Sequence, residues 1–213
     1  MPLYPVAGCK FWISNLPFTE LAVDAVAADY SGVAWVEVKK WTQMGSYGDS
    51  AQLINTDLIG EGRTKKQKGT DNAGSMANVF ATDVLDAGQI RVLTASQDVK
   101  NYAFKVELND KGPGVGALNS TRLMYGLVMQ AQQAGGGPNT VQTLNATMEI
   151  NSNITNTAAT PGTFLMMADG EQRAYNEGDE IPEGATLVEA PPPEEPTPEP
   201  VPEPAPEPPP PAE

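Results

Sequence analysis

The sequence contains no histidine and only one cysteine, Cys9. Histidine is the usual general base near neutral pH and the usual nitrogen ligand of zinc, so its absence excludes histidine-dependent catalytic triads and histidine-based zinc sites. A lone cysteine cannot form an internal disulfide, and we interpret Cys9 as a small buried residue of a protein made in a reducing cytoplasm. We therefore expect no enzymatic activity, no metal and no cofactor.

Basic residues are scarce as well, because 13 lysines and arginines are outnumbered by 27 aspartates and glutamates and the net charge is −14. Residues 191–213 carry six of the acidic residues and no basic one, which leaves −8 on residues 1–190. An acidic protein repels the phosphate backbone. The composition therefore disfavours a nucleic-acid-binding protein that works by neutralising phosphates.

Long hydrophobic runs are also missing, and no stretch approaches the ~18 apolar residues of a membrane-spanning helix. The first sixteen residues include Pro2 and Pro5 and lack the basic start of a signal peptide. We expect a protein that is made soluble and does not associate with a membrane.

The sequence does contain the alternation of apolar and polar residues that is typical of a β-strand with one buried face. The clearest case is 102–108, where Phe104 and Val106 alternate with Lys105 and Glu107. We expect the side chains on one face of this strand to be buried in the core and those on the other face to be exposed to solvent. Similar patterns predict further strands at 33–40, 76–82, 123–132 and 141–151.

One helix is predicted, over residues 83–97, with Thr82 or Asp83 as its N-cap. Its modest apolar stripe consists of Val84, Ile90 and Leu93. A single helix among five or more strands predicts a mainly β, antiparallel domain with one packed helix.

Residues 45–74 form a long connection between predicted strands and contain the most basic segment of the chain. The basic residues of this segment are Arg63, Lys65, Lys66 and Lys68. The glycines before them do not have the spacing of a phosphate-binding loop. Because connections of this length are usually functional or disordered, two interpretations stay open: a solvated charged loop, or an arm that docks on an acidic neighbouring subunit.

The chain changes in character after about residue 161. Asp169-Gly170 lies between two short runs and predicts a β-hairpin, and 178–188 is expected to add one or two short strands. Thirteen of the 23 residues in 191–213 are proline, so this stretch cannot build a core and favours an extended chain. We therefore predict a main domain at 1–161, a small β-rich appendage at 162–190 and a disordered tail rich in proline and glutamate at 191–213.

The order of several segments along residues 30–152 is also informative. The segments are Trp35-Val36-Glu37-Val38, then Gly45-Ser46-Tyr47-Gly48-Asp49, the basic segment, Asp71-Asn72-Ala73-Gly74 with the strand that follows it, Asp86-Ala87-Gly88-Gln89 in the helix, and the strand from Tyr102 to Leu108. This succession resembles the tail tube proteins of siphophages, the long-tailed bacteriophages.

The resemblance implies an antiparallel β-sandwich or barrel-like tail tube fold with one flanking α-helix. It also implies assembly into hexameric rings, in which the inner sheets of neighbouring subunits join around a lumen, and stacking of these rings into a tube. DNA then passes through the lumen without specific binding, and the other partners are the tape measure, tail terminator and distal tail proteins. The protein is expected to be made in the host cytoplasm and to be located in the virion tail.

The same resemblance suggests roles for particular residues, because the connection 45–74 is expected to reach an adjacent ring. The candidate contacts between rings are Arg63, Lys65, Lys66 and Lys68. The candidate strand positions that face the lumen or solvent are Glu37, Glu107 and Glu149. An acidic lumen wall would let DNA slide, because like charges repel.

Other functions are compatible with the same residues. The first is a tube component of a contractile injection or secretion system. The second is a virion surface or decoration module with a β-sandwich, in which 162–190 and the tail do the binding. An enzyme is a third class, but no spacing singles out a pair of carboxylates among the acidic residues.

Overall fold

The computed structural model describes residues 4–21, 23–60, 62–166, 172–175 and 186–188. Within these residues one α-helix, α1, spans Ala87–Ala95, and a short 3-10 helix spans Ala27–Tyr30. The strands are β1 Lys10–Ser14, β2 Trp35–Val38, β3 Trp41–Gln43, β4 Ser50–Thr56, β5 Lys65–Asn72, β6 Ser75–Ala81, β7 Tyr102–Glu107, β8 Thr121–Ala134, β9 Thr143–Ile150, β10 Thr155–Thr157, β11 Phe164–Met166, β12 Gln172–Ala174 and β13 Thr186–Val188.

The main sheet is antiparallel and has the strand order β2-β1-β7-β8-β9-β6-β3, with β10 paired to the start of β8. The strands predicted from alternation are confirmed as β2, β6, β7, β8 and β9. Strand β8 is the longest, with 14 residues, and its first half pairs with β7 while its second half pairs with β9. It therefore joins two halves of the sheet, β2-β1-β7-β8 and β8-β9-β6-β3.

The two halves of the sheet fold back on each other. The ring of Phe11 on β1 lies 5.9 Å from that of Phe80 on β6, although three strands separate them in the sheet. The end strands β2 and β3 follow each other in the chain and are joined only by Lys39 and Lys40. Lys40 makes this corner with a left-handed backbone, at φ +60°. The sheet is therefore nearly closed, as a barrel-like sandwich predicts.

Alternation along the strands fills the space between the halves with apolar side chains. This main core includes Phe11, Ile13, Met76, Phe80, Phe104, Val106, Met124, Leu144 and Met148, together with Val92 of the helix. The outer face of β7 was expected to be exposed to solvent, but it is only partly exposed. Ala103 is fully buried there, because segment 16–34 crosses this face and packs Phe18 and Tyr30 against Tyr125. Cys9, which was expected to be buried, is only half-buried.

The predicted helix exists but begins later than expected. Its N-cap is Asp86, whose carboxylate accepts a hydrogen bond from the backbone N–H of Gln89 at 2.9 Å. Asp83, the predicted cap, instead forms an ion pair with Lys40 at 3.0 Å. Of the predicted stripe, Val84 precedes the helix and is exposed, and Ile90 is also exposed. The buried face consists of Gly88, Gln89, Val92 and Ala95.

Gly88 allows the helix to lie directly against the end strand β2. A Cβ atom at this position would lie 2.2 Å from the carbonyl oxygen of Glu37, a distance that no side chain tolerates. The helix therefore covers the corner between β2 and β3 only because this residue has no side chain.

The C-terminal strands form a separate sheet with the order β12-β11-β13. Backbone bridges between Val115 and Thr163 and between Leu118 and Thr160 join this part of the chain to the loop before β8. The predicted hairpin turn at Asp169-Gly170 and the tail at 191–213 lie outside the described residues. The domain boundaries at 161 and 190 stay a prediction.

Candidate assembly surfaces

Residues 45–74 are not the irregular connection that was expected. Strands β4 and β5 pair as an antiparallel hairpin, from Ser50 opposite Asn72 to Thr56 opposite Lys65, and we call this hairpin the arm. Every residue of β4 is exposed, and in β5 only Gly69 is half-buried. An arm was one of the two interpretations left open for this segment, but its two strands were not predicted, because neither face of the hairpin is buried and the alternation that marks a strand is missing.

A buried amide holds the base of the arm to the main sheet. The side-chain oxygen of Asn78, which is 1% exposed, accepts hydrogen bonds from the Trp41 indole N–H at 3.1 Å and the Gly45 N–H at 3.0 Å. At the other end of the arm, the Gly74 N–H donates to the Asn72 side chain at 2.8 Å. The arm therefore leaves the body at a defined place, after β3 and before β6.

The four predicted basic residues lie on the arm, but not on one face of it, because consecutive strand residues such as Lys65 and Lys66 point to opposite sides. Arg63 lies in the turn, Lys65 and Lys66 begin β5, and all four side chains are exposed. Lys68 forms an ion pair with Asp71 of the same strand at 2.8 Å, and this hydrogen-bonded contact raises the pKa of Lys68. The charge of Lys68 is thus already balanced inside the arm.

Sequence reasoning missed the apolar side chains of the arm. Four aliphatic side chains are exposed on it: Leu53, Ile54, Leu58 and Ile59. Clustered exposed apolar residues mark protein–protein contacts more reliably than scattered charges do. In the sequence these residues form two aliphatic pairs, Leu53-Ile54 and Leu58-Ile59, just before the basic segment. The prediction of contacts rested on the basic residues alone.

The three predicted glutamates do not share one surface. Trp12 on β1 lies opposite Glu37 on β2 and opposite Lys105 on β7. Glu107 follows Lys105 by two residues and therefore lies on the same face of the sheet as Glu37. Glu149 projects from β9, in the other half of the sheet. Because the halves pack back to back, their outer faces point in opposite directions.

The outer face that carries Glu37 and Glu107 is mixed in charge. The Lys105 ammonium lies 4.4 Å from the centre of the Trp12 ring and 5.2 Å from that of Trp35. Burial against these rings lowers the pKa of Lys105. This face therefore has the character of a contact surface rather than of an acidic wall.

The outer face of the other half is almost uncharged. Its outward residues on β9 are Thr143, Asn145, Thr147 and Glu149, and those opposite them on β8 include Gln130 and Gln132. Glu149 is the single charged side chain among the outward positions of β6, β9 and the β9-paired part of β8 that the structure describes. The described outward positions of this face therefore include no basic side chain that could bind a phosphate group.

One long strand edge is open for pairing. From Leu127 to Ala134, β8 pairs with β9 on one side, and no described strand pairs with its other side. Unpaired N–H and C=O groups on such an edge are a template for strand addition by another chain.

Two kinds of feature were looked for in the part of the chain that the structure describes. There, no helix is long and apolar enough to cross a membrane. The same residues contain no cluster of three acidic or cysteine side chains that is arranged to hold a metal ion.

No family model matches the sequence, and no curated protein matches it. Solved structures do match. The hybrid NMR and cryo-EM structure of the SPP1 tail tube aligns with 72% of this chain and 80% of its own, with 12% identity and a TM-score of 0.52. The chain has the tail-tube fold. The fold that the order of the sequence segments suggested is thereby confirmed.

The tail-tube fold is not confined to phage tails. A chain in the cryo-EM structure of an extracellular contractile injection system, the PVC sheath/tube terminator in its extended state, aligns over 74% of this chain and 98% of its own. The identity is 12% and the TM-score is again 0.52. At such identities the likeness concerns the fold, and the function has to be argued from the surfaces.

Proposed function

We propose that this protein is a structural subunit of a bacteriophage tail whose copies form stacked hexameric rings, and that the rings make the tube through which DNA is delivered into the host. The observation that carries the proposal is the arm, an exposed hairpin that projects from a body with the tail-tube fold. An arm that buries none of its own apolar side chains is suited to bury them on another subunit.

Lateral assembly into rings is supported by the open edge of β8. Strand addition between subunits would satisfy its free backbone groups and remove an edge that otherwise invites aggregation. Repetition of that contact around an axis closes a ring of identical subunits. The lumen would then be lined by the uncharged outer face of β6, β8 and β9, with Glu149 as its charge.

Passage of DNA through a tube requires a lumen surface that does not bind DNA. The net charge of −14 and the face around Glu149, whose described outward positions carry no cation, both disfavour phosphate binding. We therefore propose that DNA passes without specific contacts, and that the stable partners are further copies of the chain and the tape measure, tail terminator and distal tail proteins of the same virion.

Negative-stain electron microscopy and sedimentation of the purified full chain test the proposal. We expect rings or tubes of uniform width at high protein concentration, with six subunits in each ring. Exclusively monomeric protein at high concentration, with and without tail initiation proteins, would contradict it.

A second candidate is the tube of a contractile injection system, which is supported by the match to the PVC structure at the same TM-score as the match to the SPP1 tail tube. The distinguishing component is a sheath around the tube. Isolation of the assembled particles with a contractile sheath protein bound to the tube would favour this candidate, and bare tubes attached to capsids would favour the phage tail. The interpretation as a surface decoration module gains nothing from the comparisons.

A further inference from the structure

The small sheet of β11, β12 and β13 is held by the loop between β7 and β8, which spans 108–120. Thr163, just before β11, donates its N–H to the carbonyl oxygen of Val115 in this loop at 2.9 Å. The Val115 N–H donates to the carbonyl oxygen of Tyr175, just after β12, at 2.9 Å. The Tyr175 N–H in turn donates to the carbonyl oxygen of Thr163 at 3.2 Å. Val115 therefore binds the ends of two strands of the small sheet at once.

The loop and the chain before β11 are joined at two further places. The backbones of Leu118 and Thr160 exchange two hydrogen bonds, each of 3.0 Å. The Gly162 N–H donates to the carbonyl oxygen of Pro113 at 3.1 Å. The backbone groups of a flexible linker bond to water rather than to fixed partners. The small sheet is therefore attached along much of the loop and not by a single tether.

Two glycines bring these backbones into direct contact. A Cβ atom on Gly114 would lie 2.7 Å from the carbonyl oxygen of Thr163, and one on Gly162 would overlap the carbonyl carbon of Gly114. Gly114 also has a left-handed backbone, at φ +102°, whereas the backbone of Gly162 is not left-handed. The contact therefore requires glycine at both positions, for space at Gly162 and for both space and conformation at Gly114.

Hydrogen bonds of polar side chains fix the two ends of the loop to the body. Ser120, which is 3% exposed, donates its N–H at 2.8 Å and its hydroxyl to the carboxylate of Asp110. The side-chain oxygen of Asn119 accepts hydrogen bonds from the N–H groups of Asp110 at 3.2 Å and Lys111 at 2.9 Å. The amide group of Asn119 donates to the carboxylate of Glu107, the last residue of β7, at 2.9 Å. The loop is therefore part of the body.

We propose that the loop 108–120 is a rigid mount for the small sheet, in which Gly114 and Gly162 act as a lock, and that the sheet projects from the body in one fixed direction. Three strands of three residues each bury too little surface to be stable alone. The small sheet therefore depends on the mount for its order.

A fixed mount has a consequence for the assembly, which rests on the proposed function. In rings of identical subunits, every copy would hold the small sheet at the same angle to the tube axis. The sheets would then repeat at the spacing of the subunits and form a regular surface. Sheets on flexible linkers would point in many directions and form no such surface.

Hydrogen exchange of backbone amides tests the lock, measured by NMR on the full chain at a concentration below that of assembly. In the wild type we expect slow exchange at the amides that donate across the mount, which are those of Val115, Leu118, Thr160 and Thr163. Gly162→Ala should speed this exchange roughly tenfold or more, because an extra carbon atom in a packed contact favours its opening. The amide of Val106, on β7 between β1 and β8, should stay protected in both proteins.

Gly112→Ala is the matched control for Gly162→Ala. A Cβ atom at Gly112 would meet only Pro161, at an ordinary distance of 3.4 Å, and the residue belongs to the same loop. This variant should keep the wild-type exchange rates across the mount. Equal acceleration in the two glycine variants, or no acceleration in Gly162→Ala, would show that the glycines do not form a lock.

Residual dipolar couplings of the wild type test the fixed direction without any substitution. The amides of β11 and β13 should fit the same alignment as those of β7, β8 and β9, because a rigidly held sheet shares the orientation of the body. Couplings reduced toward zero in the small sheet alone, or fast exchange at Thr163 while Val106 stays protected, would reveal a flexible tether and overturn the inference. Both measurements use single subunits, so a failure to form tubes would count against the proposed function only.

Discussion

At the scale of single residues, two buried amides, Asn78 and Gln89, fasten irregular segments to the sheet. The Gln89 side chain accepts a hydrogen bond from the Asp83 N–H at 2.9 Å and donates to the carbonyl oxygens of Ala81 at 2.9 Å and Lys39 at 3.2 Å. It thereby holds the turn before α1, the end of β6 and the corner together. Alternation of apolar and polar residues does not signal such positions, because a buried amide is an exception to it.

Asn78→Ala should lower the free energy of unfolding by roughly 1–3 kcal/mol, because the Trp41 indole N–H and the Gly45 N–H lose their acceptor. Urea denaturation followed by tryptophan fluorescence measures the loss. Asn145→Ala is the matched control, since Asn145 lies at a half-exposed outward position of β9. Equal losses in both variants would show that Asn78 does not anchor the arm.

Tyr30 makes the free energy of unfolding depend on pH in the alkaline range. Burial raises the pKa of Tyr30 from 10.0 to about 12, so the folded state favours the neutral hydroxyl. This contribution is complete below pH 10 and is lost as the pH rises through the folded pKa. Between pH 9 and 12 the wild type should therefore lose roughly 2–3 kcal/mol more unfolding free energy than Tyr30→Phe.

Tyr47 and Tyr102, whose pKa values burial also raises, titrate in both proteins and cancel in the comparison of the wild type with Tyr30→Phe. Denaturation at a series of pH values gives the two profiles. Parallel profiles of the wild type and the variant would disprove the shift at Tyr30.

At the scale of elements, a strand was predictable where one face is buried and unpredictable where none is. Strands β6, β7, β8 and β9 alternate along the main core and are predicted by the sequence, whereas β4 and β5 have no buried face and are not. The start of the helix was misplaced because Asp83 and Asp86 are equally good caps by type. The choice between them is made by Lys40, which lies far from them in sequence and pairs with Asp83.

Replacement of the arm residues 50–72 by a two-residue Asn-Gly turn should leave the body folded. Ser50 and Asn72 lie opposite each other, so a short turn closes the gap, and the removed strands contribute no buried apolar side chain. We expect a thermal midpoint within a few degrees of the wild type and no tubes in electron micrographs.

The matched control for this deletion is Lys68→Ala, which keeps the arm and removes a charge that is already paired with Asp71. This variant should still form tubes. Tubes of normal length from the armless protein would show that stacking depends on another surface.

At the scale of the whole molecule, the fold was predictable from the order of the segments, but the arrangement of the candidate site was not. The four predicted basic residues lie on the arm, but Lys65 and Lys66 point to opposite faces of it, and a role of these residues as contacts between rings stays a prediction. The separation of Glu149 from Glu37 was not foreseeable, because it results from the closure of the sheet at the Lys39–Lys40 corner. No local sequence pattern predicts that corner, because its formation depends on contacts between the two halves of the sheet across the core.

Deletion of residues 191–213, which lie outside the described residues, should leave the thermal midpoint and tube formation unchanged. Apart from Val201 and its alanines, this tail has no apolar side chain to pack. Differential scanning fluorimetry and electron microscopy measure the two properties. The comparison variant lacks 162–213, and we expect it to melt earlier because the bridge at Val115 is lost. A large effect of the shorter deletion would show that the tail docks on the body.

The position of β1 between β2 and β7 also affects how the chain reaches its native state. Phe11 pairs with Val106, and β1 lies between β2 and β7, so this part of the sheet depends on residues from both ends of a long sequence interval. Chains dominated by such distant pairings fold in milliseconds to seconds rather than microseconds. While the ribosome is still synthesising the segment before β7, Phe11 and Ile13 have no partner strand on that side. The newly made N-terminal segment therefore needs protection from aggregation until β7 emerges.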